Sequence, residues 1–302
     1  MLQEFEFSTR CMGCDLEVSL IMQDTQASDA ESLFNALHRI CQEYENIFSR
    51  FLTTSELNVV NQSNSNPFIV SDIFQDVFTL SQALYKDTHE LFNPLMQVAK
   101  IGYNTTFTDI PNNQQAVDTV TYDANPSHIQ HNAQDNQLTL ANTQALDFGG
   151  FLKGHVAQKM AEMCGTCHGV IINLGGDIYT IGKDADNQMF KYYIYNPITD
   201  TYTIEVPIYN AALATSGNYK RVWHVGSVQY SHIVDTKTKT STQTSLVSAT
   251  VIHKSGAYAD AYATVAMTLP WQEAIAFLEG KNVAFILIDA HGLIKSSLNT
   301  IS

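Results

Sequence analysis

The chain has 302 residues and carries 16 Lys and Arg against 30 Asp and Glu, which gives a formal net charge of −14. An acidic surface repels phosphate backbones, and the sequence has no basic stripe, so we expect no nucleic-acid partner. Hydrophobic residues make up 45% of the chain, which is typical of a globular protein and excludes extended disorder.

No stretch of the sequence approaches the roughly 20 apolar residues of a membrane span. The first ten residues are polar and acidic, without the basic start and apolar core of a signal peptide. We therefore expect no membrane span. Localisation stays open between a cytoplasmic protein and the trimmed form of an exported one.

The chain has an odd number of cysteines, five in all: Cys11, Cys14, Cys41, Cys164 and Cys167. Cys164-Gly-Thr-Cys167-His168 has the spelling of a c-type haem attachment sequence, and two C-x-x-C pairs are also compatible with a zinc site. We favour a simpler interpretation. The second pair follows the end of an amphipathic helix that begins at Lys153, with Gly165 as the C-cap.

One strand and two helices are predicted in the amino-terminal third. Residues 14–22 alternate between apolar and polar types, which indicates a half-buried strand. Ser28 and Glu31 have the spacing of a capping box, which predicts the start of a helix whose apolar residues continue at helical spacing to Phe51. A second helix is predicted over residues 71–89.

Short strands and two more helices are predicted after a polar segment, residues 104–145, which we interpret as loops and short edge strands. The strands are predicted at 169–174, 178–182, 190–195, 202–208, 228–234, 247–252 and 283–288. A helix at 257–268 precedes another that has Pro270 at its first position. Strands and helices alternate without a regular βαβ period, so the predicted fold class is α+β, with mixed sheets flanked by helices. We interpret residues 1–302 as a single domain, with two intertwined lobes around a central cleft as an open alternative.

A glycine-rich turn, Asp147-Phe-Gly-Gly-Phe-Leu-Lys153-Gly, precedes the helix that begins near Lys153. Paired glycines let backbone N–H groups approach a ligand, and a helix N-terminus attracts anionic oxygens. A lysine in the first turn is unfavourable beside the positive end of the helix dipole, and a bound phosphate would offset that cost. The alternative is an ordinary loop-to-helix turn with an exposed lysine.

Asp260 and Thr264 are four residues apart on the predicted helix 257–268, so their side chains project from the same side. Carboxylate and hydroxyl oxygens suit Mg²⁺, and one carboxylate fits an ion that shares its coordination shell with water and substrate phosphates. The alternative is that Asp260 is a local cap and that Thr264 bonds to the helix carbonyls.

His232 lies in the predicted strand 228–234, and the chain before that strand contains the Ser/Thr/Gly-rich segment 214–219. A histidine in this position can move protons near neutral pH. The alternative is a structural histidine held by a backbone carbonyl.

Nine short motifs include these segments. They are Met12-Gly13, Phe48-Ser-Arg-Phe51, Ser55-Glu-Leu-Asn58, Phe92-Asn-Pro94, Ala145–Gly154, Asn173-Leu-Gly-Gly-Asp177, Ala214-Thr-Ser-Gly-Asn-Tyr219, Ser231-His-Ile-Val-Asp235 and Ala259-Asp-Ala-Tyr-Ala-Thr264. This ordered set, over about residues 12–290, resembles the ApbE family, the FAD:protein FMN transferases. The resemblance implies an ApbE-like (T-fold-like) architecture. It also implies Mg²⁺-dependent transfer of the FMN half of FAD to a Thr or Ser hydroxyl of an acceptor protein, with release of AMP.

The same resemblance implies which residues carry the reaction. Magnesium would be held by the backbone carbonyl of Gly150 and by the side chains of Asp260 and Thr264. His232 would transfer a proton at the acceptor hydroxyl, and Asp260 would be the second catalytic residue through the metal. FAD would bind along Met12, Phe51, Ile101, Gly102, Tyr103, Asp147, Lys153 and Val234.

The chain departs from the family pattern at four places. The Asp-Pro-x-Thr-Gly run that usually follows the histidine is Asp235-Thr-Lys-Thr-Lys239 here, which we expect to loosen that turn. Asn93 stands where an aspartate is common, Cys14 where a threonine is usual and Leu152 where an alanine is common. Two other activities remain open: a Mg²⁺-dependent FAD pyrophosphatase that releases FMN and AMP, and a flavin-binding protein without transfer activity.

Overall fold

A computed structural model of the chain describes residues 1–102, 121–219, 222–225 and 228–298. The chain divides into two units built from interleaved segments. Unit 1 comprises Met1–Glu43, Gly150–Tyr219 and Thr244–Ser302, and unit 2 comprises Tyr44–Gly149 and Lys220–Gln243. The single-domain interpretation and its two-lobe alternative stay predictions.

The described residues form six α-helices and fifteen strands. The helices are α1 (Ala27–Phe48), α2 (Glu56–Asn61), α3 (Asp72–Asp87), α4 (Leu152–Met163), α5 (Gly256–Thr268) and α6 (Trp271–Gly280). The first seven strands are β1 (Leu2–Cys11), β2 (Cys14–Gln23), β3 (Phe68–Ile69), β4 (Gln130–Asn132), β5 (Gln137–Thr139), β6 (Gly169–Leu174) and β7 (Asp177–Gly182). The others are β8 (Phe190–Asn196), β9 (Thr201–Ile208), β10 (Ala212–Gly217), β11 (Val222–Val225), β12 (Val228–Ser231), β13 (Leu246–His253), β14 (Ala284–Asp289) and β15 (Ile294–Ser296).

Unit 1 contains an eight-stranded sheet in the order β1-β2-β6-β7-β10-β13-β14-β15, and every neighbouring pair is antiparallel. Strands β8 and β9 form a separate hairpin. Apolar side chains from this hairpin pack with side chains of the sheet in one buried cluster: Ile178, Ile194, Val206, Ile208, Leu213, Ile286 and Ile288. Helices α4 and α5 pack on the central strands β6, β7, β10 and β13.

Helix α5 is buried along most of its length because its small residues allow close packing. A Cβ atom placed on Gly154 of α4 would lie 2.2 Å from the carbonyl oxygen of Gly256, the first residue of α5. The side-chain oxygen of Gln158, one turn further along α4, accepts a hydrogen bond from the Gly256 N–H at 2.8 Å. Helix α4 therefore caps α5 and fixes where it begins.

Unit 2 contains the end of α1, the helices α2 and α3, the three-stranded sheet β3-β5-β4 and the hairpin of β11 and β12. Phe48, Phe74 and Phe148 form an aromatic cluster with ring centroids 5.4–5.7 Å apart. All three rings are buried, so the backbone next to Phe148 is held firmly in place.

The structure confirms the predicted α+β fold class, and most predicted elements lie within one or two residues of the observed ones. Five strands were not predicted: β1, β3, β10, β11 and β15. Strand β1 pairs only with β2 and lies at the edge of the sheet, so its exposed face is polar and its pattern is weak. Its Phe7 ring stacks on Phe34 of α1 at 4.8 Å.

Several predicted boundaries are wrong. Helix α1 begins at Ala27, and the capping box lies upstream, between Gln23 and Gln26 around a short 3₁₀ turn, so Ser28 is inside the helix. Pro270 is the N-cap of α6 rather than its first residue, and Cys164, not Gly165, is the C-cap of α4. These errors fall at helix ends, where several neighbouring residues satisfy the same capping pattern.

Among the described residues, the structure has no helix that combines the length and the apolar character needed to cross a membrane.

The contact between Gly154 and Gly256 predicts the effect of one added methyl group. Gly154→Ala is expected to lower the free energy of unfolding by about 1–3 kcal/mol, because the new Cβ overlaps backbone atoms that have little freedom to shift. Gly280→Ala, at the end of α6, is the matched control, since nothing lies within 4 Å of its added Cβ. Urea unfolding of both variants measures the difference, and equal stabilities would contradict the close-contact argument.

Candidate active site

Oxygen atoms predicted to hold magnesium lie together in unit 1, where the start of α4 meets α5. Thr264 Oγ1 lies 3.4 Å from the carbonyl oxygen of Gly150 and 3.1 Å from Ser216 Oγ of β10. Asp260 is one helical turn before Thr264 and only 3% exposed, and its Oδ2 accepts a hydrogen bond from the Gly154 N–H at 3.2 Å. The structure thus brings together Gly150, Asp260 and Thr264. It adds Ser216, which sequence analysis did not single out because its neighbour comes from a distant helix.

These donors fit a magnesium ion, because a carbonyl, a carboxylate and hydroxyl groups are all hard oxygen ligands. No group of three or more His, Cys, Asp and Glu side chains is placed to hold a metal ion within the described part of the chain. An ion bound at Asp260 would therefore complete its shell with backbone, hydroxyl, water or substrate oxygens.

Lys153, three residues after Gly150, pairs with a buried carboxylate. Its ammonium group, in the first turn of α4, donates to Asp177, which is 1% exposed at the start of β7. Gly175 and Gly176 form the turn before Asp177, with φ of 66° and 100°. A Cβ on Gly175 would lie 2.8 Å from Cys14 Sγ and 4.0 Å from Lys153 Cδ, so the missing side chain leaves room for both.

Sequence analysis included Asp177 in a motif but gave it no role. A buried carboxylate needs a compensating charge, and Lys153 supplies it. Lysine has three N–H donors, so the same ammonium group can donate to Asp177 and to a phosphate oxygen. This pairing explains how a lysine is retained at the unfavourable end of the α4 dipole.

Met12 and Gly13 form the two-residue turn between β1 and β2, with φ of 51° and 71°. Positive φ at both residues is the pattern of a type I′ hairpin turn. The turn holds Met12 in unit 1 at the tip of the hairpin, next to Cys14, which is buried.

Phe51 and Asp147 lie in unit 2 and are connected by Arg50. The Arg50 guanidinium makes an ion pair with the Asp147 carboxylate at 3.1 Å and lies 4.7 Å from the centroid of the Phe51 ring. Phe51 is 38% exposed. Asp147 is anchored through its N–H, which donates to the Pro94 carbonyl at 2.8 Å.

Asn58 holds the loop that carries Phe51. Its side-chain amide donates to the carbonyl oxygens of Ser49, Arg50 and Leu52 at 3.3, 3.0 and 2.7 Å. Sequence analysis quoted Arg50 and Asn58 only as parts of motifs. Their contacts could not be predicted from residue spacing, because Asn58 bonds to a loop and Arg50 pairs with Asp147, which is 97 positions away.

Ile101 and Val234 pack in one buried cluster with Met96, Tyr122 and Trp223. Both side chains are almost fully buried, so contact of these residues with a flavin would involve mainly their backbone. Gly102 follows with a left-handed φ of 99°. Tyr103, which the resemblance also assigned to FAD, lies outside the described residues.

His232 lies just after β12, which ends at Ser231, so the predicted strand 228–234 is too long. The segment is still ordered by hydrogen bonds, because the Ser231 N–H donates to Ser241 Oγ at 2.7 Å and the Thr242 N–H donates to the Ile233 carbonyl at 2.9 Å. His232 is half-buried.

The turn after His232 is closed by hydrogen bonds, and the expected loosening stays a prediction. Asp235 Oδ1 accepts hydrogen bonds from the N–H groups of Lys237 and Thr238 at 2.7 and 3.0 Å. Lys239 stands at the glycine position of the family run and has a left-handed φ of 57°. Its ammonium group donates to the Tyr122 carbonyl at 2.8 Å, which helps to hold this strained residue in place.

Asn93, which stands where the family commonly has an aspartate, makes two hydrogen bonds with its side-chain amide. Its Nδ2 donates to the Ala124 carbonyl at 2.9 Å, while its Oδ1 accepts from the Leu95 N–H at 2.9 Å. An ionised aspartate has no N–H to donate, so the first bond depends on the asparagine.

The cysteines support the packing interpretation. All five are free thiols. Cys164 follows α4 and donates to the Met160 carbonyl at 3.4 Å. A hydrogen bond with Cys167, together with burial, raises the pKa of the Cys164 thiol. The same hydrogen bond lowers the pKa of the Cys167 thiol, so the two side chains contact each other after the end of α4.

An α+β fold with a lysine and hard oxygen ligands at one helix start defines a class of protein suited to phosphate-bearing ligands. The ApbE family model matches residues 12–287, and the chain belongs to the ApbE family. A curated relative from Chlamydia pneumoniae, named FAD:protein FMN transferase, is 27% identical over 249 residues, which cover 80% of this chain and 78% of the relative. A relative of the same name from Vibrio cholerae is 24% identical over 95% of this chain and 87% of its own length.

Solved structures agree with this fold. The flavin transferase ApbE from Vibrio cholerae superposes with a TM-score of 0.82 at 22% identity, covering 99% of this chain and 98% of the other. The ApbE protein from Thermotoga maritima gives a TM-score of 0.83 at 18% identity, covering 98% and 97%. The ApbE-like architecture predicted from the motifs is therefore confirmed.

The Lys153–Asp177 pair predicts a coupled effect on stability. Asp177→Ala is expected to lower the free energy of unfolding by about 3 kcal/mol, because it leaves the lysine charge partly buried without its partner. Lys153→Met combined with Asp177→Leu should recover most of that loss, since two apolar groups need no compensation. Urea unfolding of Lys153→Met, Asp177→Leu and the double variant gives the coupling, and additive effects would rule out a buried pair.

Proposed function

We propose that this protein transfers the FMN half of FAD to a Thr or Ser hydroxyl of an acceptor protein, with Mg²⁺, and releases AMP. The names of the relatives support the reaction class. The observation that carries the proposal is the convergence of Lys153, Gly150, Asp260 and Thr264 at the start of α4.

In the reaction, the acceptor hydroxyl oxygen forms a bond to the phosphorus of the FMN half, and the bridging bond to the AMP half breaks. Negative charge increases on the pyrophosphate oxygens as this bond breaks. Lys153, oriented by Asp177, donates N–H groups to these oxygens and so stabilises that charge. Gly150, Asp260 and Thr264 would hold the magnesium ion, which would supply Lewis-acid stabilisation of the same oxygens.

The residues of unit 2 bind the rings and move the proton. The exposed Phe51 ring offers a face for stacking on a flavin or adenine ring, and Arg50 and Asn58 hold it in position. His232 accepts the proton that the acceptor hydroxyl loses on attack, and the hydrogen bonds of the Ser231–Thr242 region limit its motion.

The decisive experiment is intact-mass spectrometry of a Thr-bearing acceptor domain incubated with the protein, FAD and Mg²⁺. A mass gain of one FMN less one water is expected, and no gain is expected when EDTA is present from the start. Chromatography of FAD in the same tube separates the alternatives. FMN and AMP without a mass gain would identify a pyrophosphatase, and intact FAD would identify a flavin-binding protein.

Asp260→Ala tests the metal assignment. The rate of FMN transfer is expected to fall at least about 100-fold, because the only carboxylate among the proposed ligands is lost. Asp260→Asn removes the charge but keeps the shape, since its side-chain oxygen can still accept a hydrogen bond from the Gly154 N–H. A similar fall in the transfer rate is expected. Asp76→Ala, at an exposed position of α3, is the control. Wild-type turnover in Asp260→Ala would refute the assignment.

A further inference from the structure

Unit 2 has a cavity of about 590 Å³ that none of the roles assigned above uses. This volume lies within the range of small-ligand sites. The cavity is lined by Tyr85, His89, Glu90, Leu91, Asn93, Tyr122, Asp123, Ala124, Asn125, Thr236, Lys237 and Lys239. The lining is mostly polar and carries both signs of charge, so it offers hydrogen-bond donors and acceptors side by side.

Three of the lining residues have a left-handed backbone although they carry side chains. They are His89, Glu90 and Lys239, with φ of 51°, 70° and 57°. Each is fixed by a backbone hydrogen bond: His89 N–H to Lys86, Glu90 N–H to Tyr85 and Lys239 N–H to Asp235. Strained residues cluster at sites that clamp a ligand. Here they line one cavity and carry charged or titratable groups.

The cavity is connected to the proposed chemistry within unit 2. Thr236 and Lys237 follow His232 by four and five residues, and Val234 bridges to Ser241 behind their turn. Tyr122 lines the cavity and also packs with Ile101 and Val234. A ligand in the cavity therefore contacts the turn that follows His232 and contains Thr236 and Lys237.

The charged groups of the lining differ in whether they have a partner within the chain. Glu90 and Asp123 place two carboxylates in the wall, and Asp123 is engaged by His128 at 2.8 Å. Lys239 is engaged by Tyr122. Lys237 is different, because it is exposed and no carboxylate among the described residues forms an ion pair with it. In a chain of net charge −14, this is a local site for an acidic group.

We propose that this cavity binds the acceptor segment that carries the target hydroxyl, and that Lys237 pairs with an acidic side chain of that segment. The proposal rests on the transferase function, in which a polypeptide is the one reactant that the residues assigned to FAD and magnesium leave without a site. A mixed donor and acceptor lining suits a polypeptide, whose backbone needs both.

Two labelled 15-residue peptides test the proposal. Each has one central threonine as its only hydroxyl residue, flanked by aspartates in one peptide and by lysines in the other. Fluorescence anisotropy gives their affinities for the full chain. The wild-type protein should prefer the aspartate peptide, and Lys237→Glu should shift the ratio of the two affinities about fivefold toward the lysine peptide.

Lys86→Glu is the matched control, because it makes the same charge change at an exposed residue of unit 2 outside the cavity lining. It should keep the wild-type preference. Thr236→Trp fills the cavity and should weaken binding of the aspartate peptide about tenfold or more. FAD affinity, measured by flavin fluorescence, should stay within twofold in all three variants, which also shows that they are folded.

An unchanged peptide preference in Lys237→Glu, or unchanged binding in Thr236→Trp, would overturn the proposal. A loss of FAD affinity in these two variants would assign the cavity to FAD instead. The binding measurement does not depend on transfer. Selective peptide binding with no FMN mass gain on any acceptor would refute the transferase and leave the cavity assignment standing. FMN transfer to an acceptor with no peptide preference would support the transferase and refute the cavity assignment.

Discussion

The close approach of α4 and α5 is the constraint on which the proposed active site depends. Gly154 and Gly256 let the two helix starts meet backbone to backbone, and Gln158 completes the hydrogen bonding of the Gly256 N–H. Any side chain at these glycines would separate the helices. The separation would remove the contact between Asp260 and the Gly154 N–H and would move Thr264 away from the Gly150 carbonyl.

Two kinds of electrostatic compensation organise the rest of unit 1. The buried Asp260 carboxylate accepts a hydrogen bond from a backbone N–H near the positive end of the α4 dipole, which offsets part of the cost of burying it. The buried Asp177 carboxylate receives the Lys153 ammonium group. The site therefore holds a lysine and two carboxylates in order before any ligand arrives, which limits the reorganisation needed when charge develops on a phosphate.

Departures from the family pattern are accommodated by local contacts rather than by loss of structure. Asn93 donates a hydrogen bond that an ionised aspartate lacks, and Lys239 adopts the left-handed conformation of a glycine while Tyr122 holds its ammonium group. The Asp235 carboxylate caps the turn in the absence of proline.

The sequence by itself determined the fold class, most helices and strands, and the pairing of Asp260 with Thr264, because periodicity and i, i+4 spacing are local properties. The ordered motifs also identified the family. Only the tertiary structure decided that Ser216 lies beside Thr264, that Asp177 holds Lys153, and that the turn at Asp235 is closed. These are contacts between residues far apart in the chain, or they depend on a carboxylate cap that no residue spacing specifies. The edge strand β1 was missed for a related reason, since its pairing with β2, and not its own apolar pattern, makes it a strand.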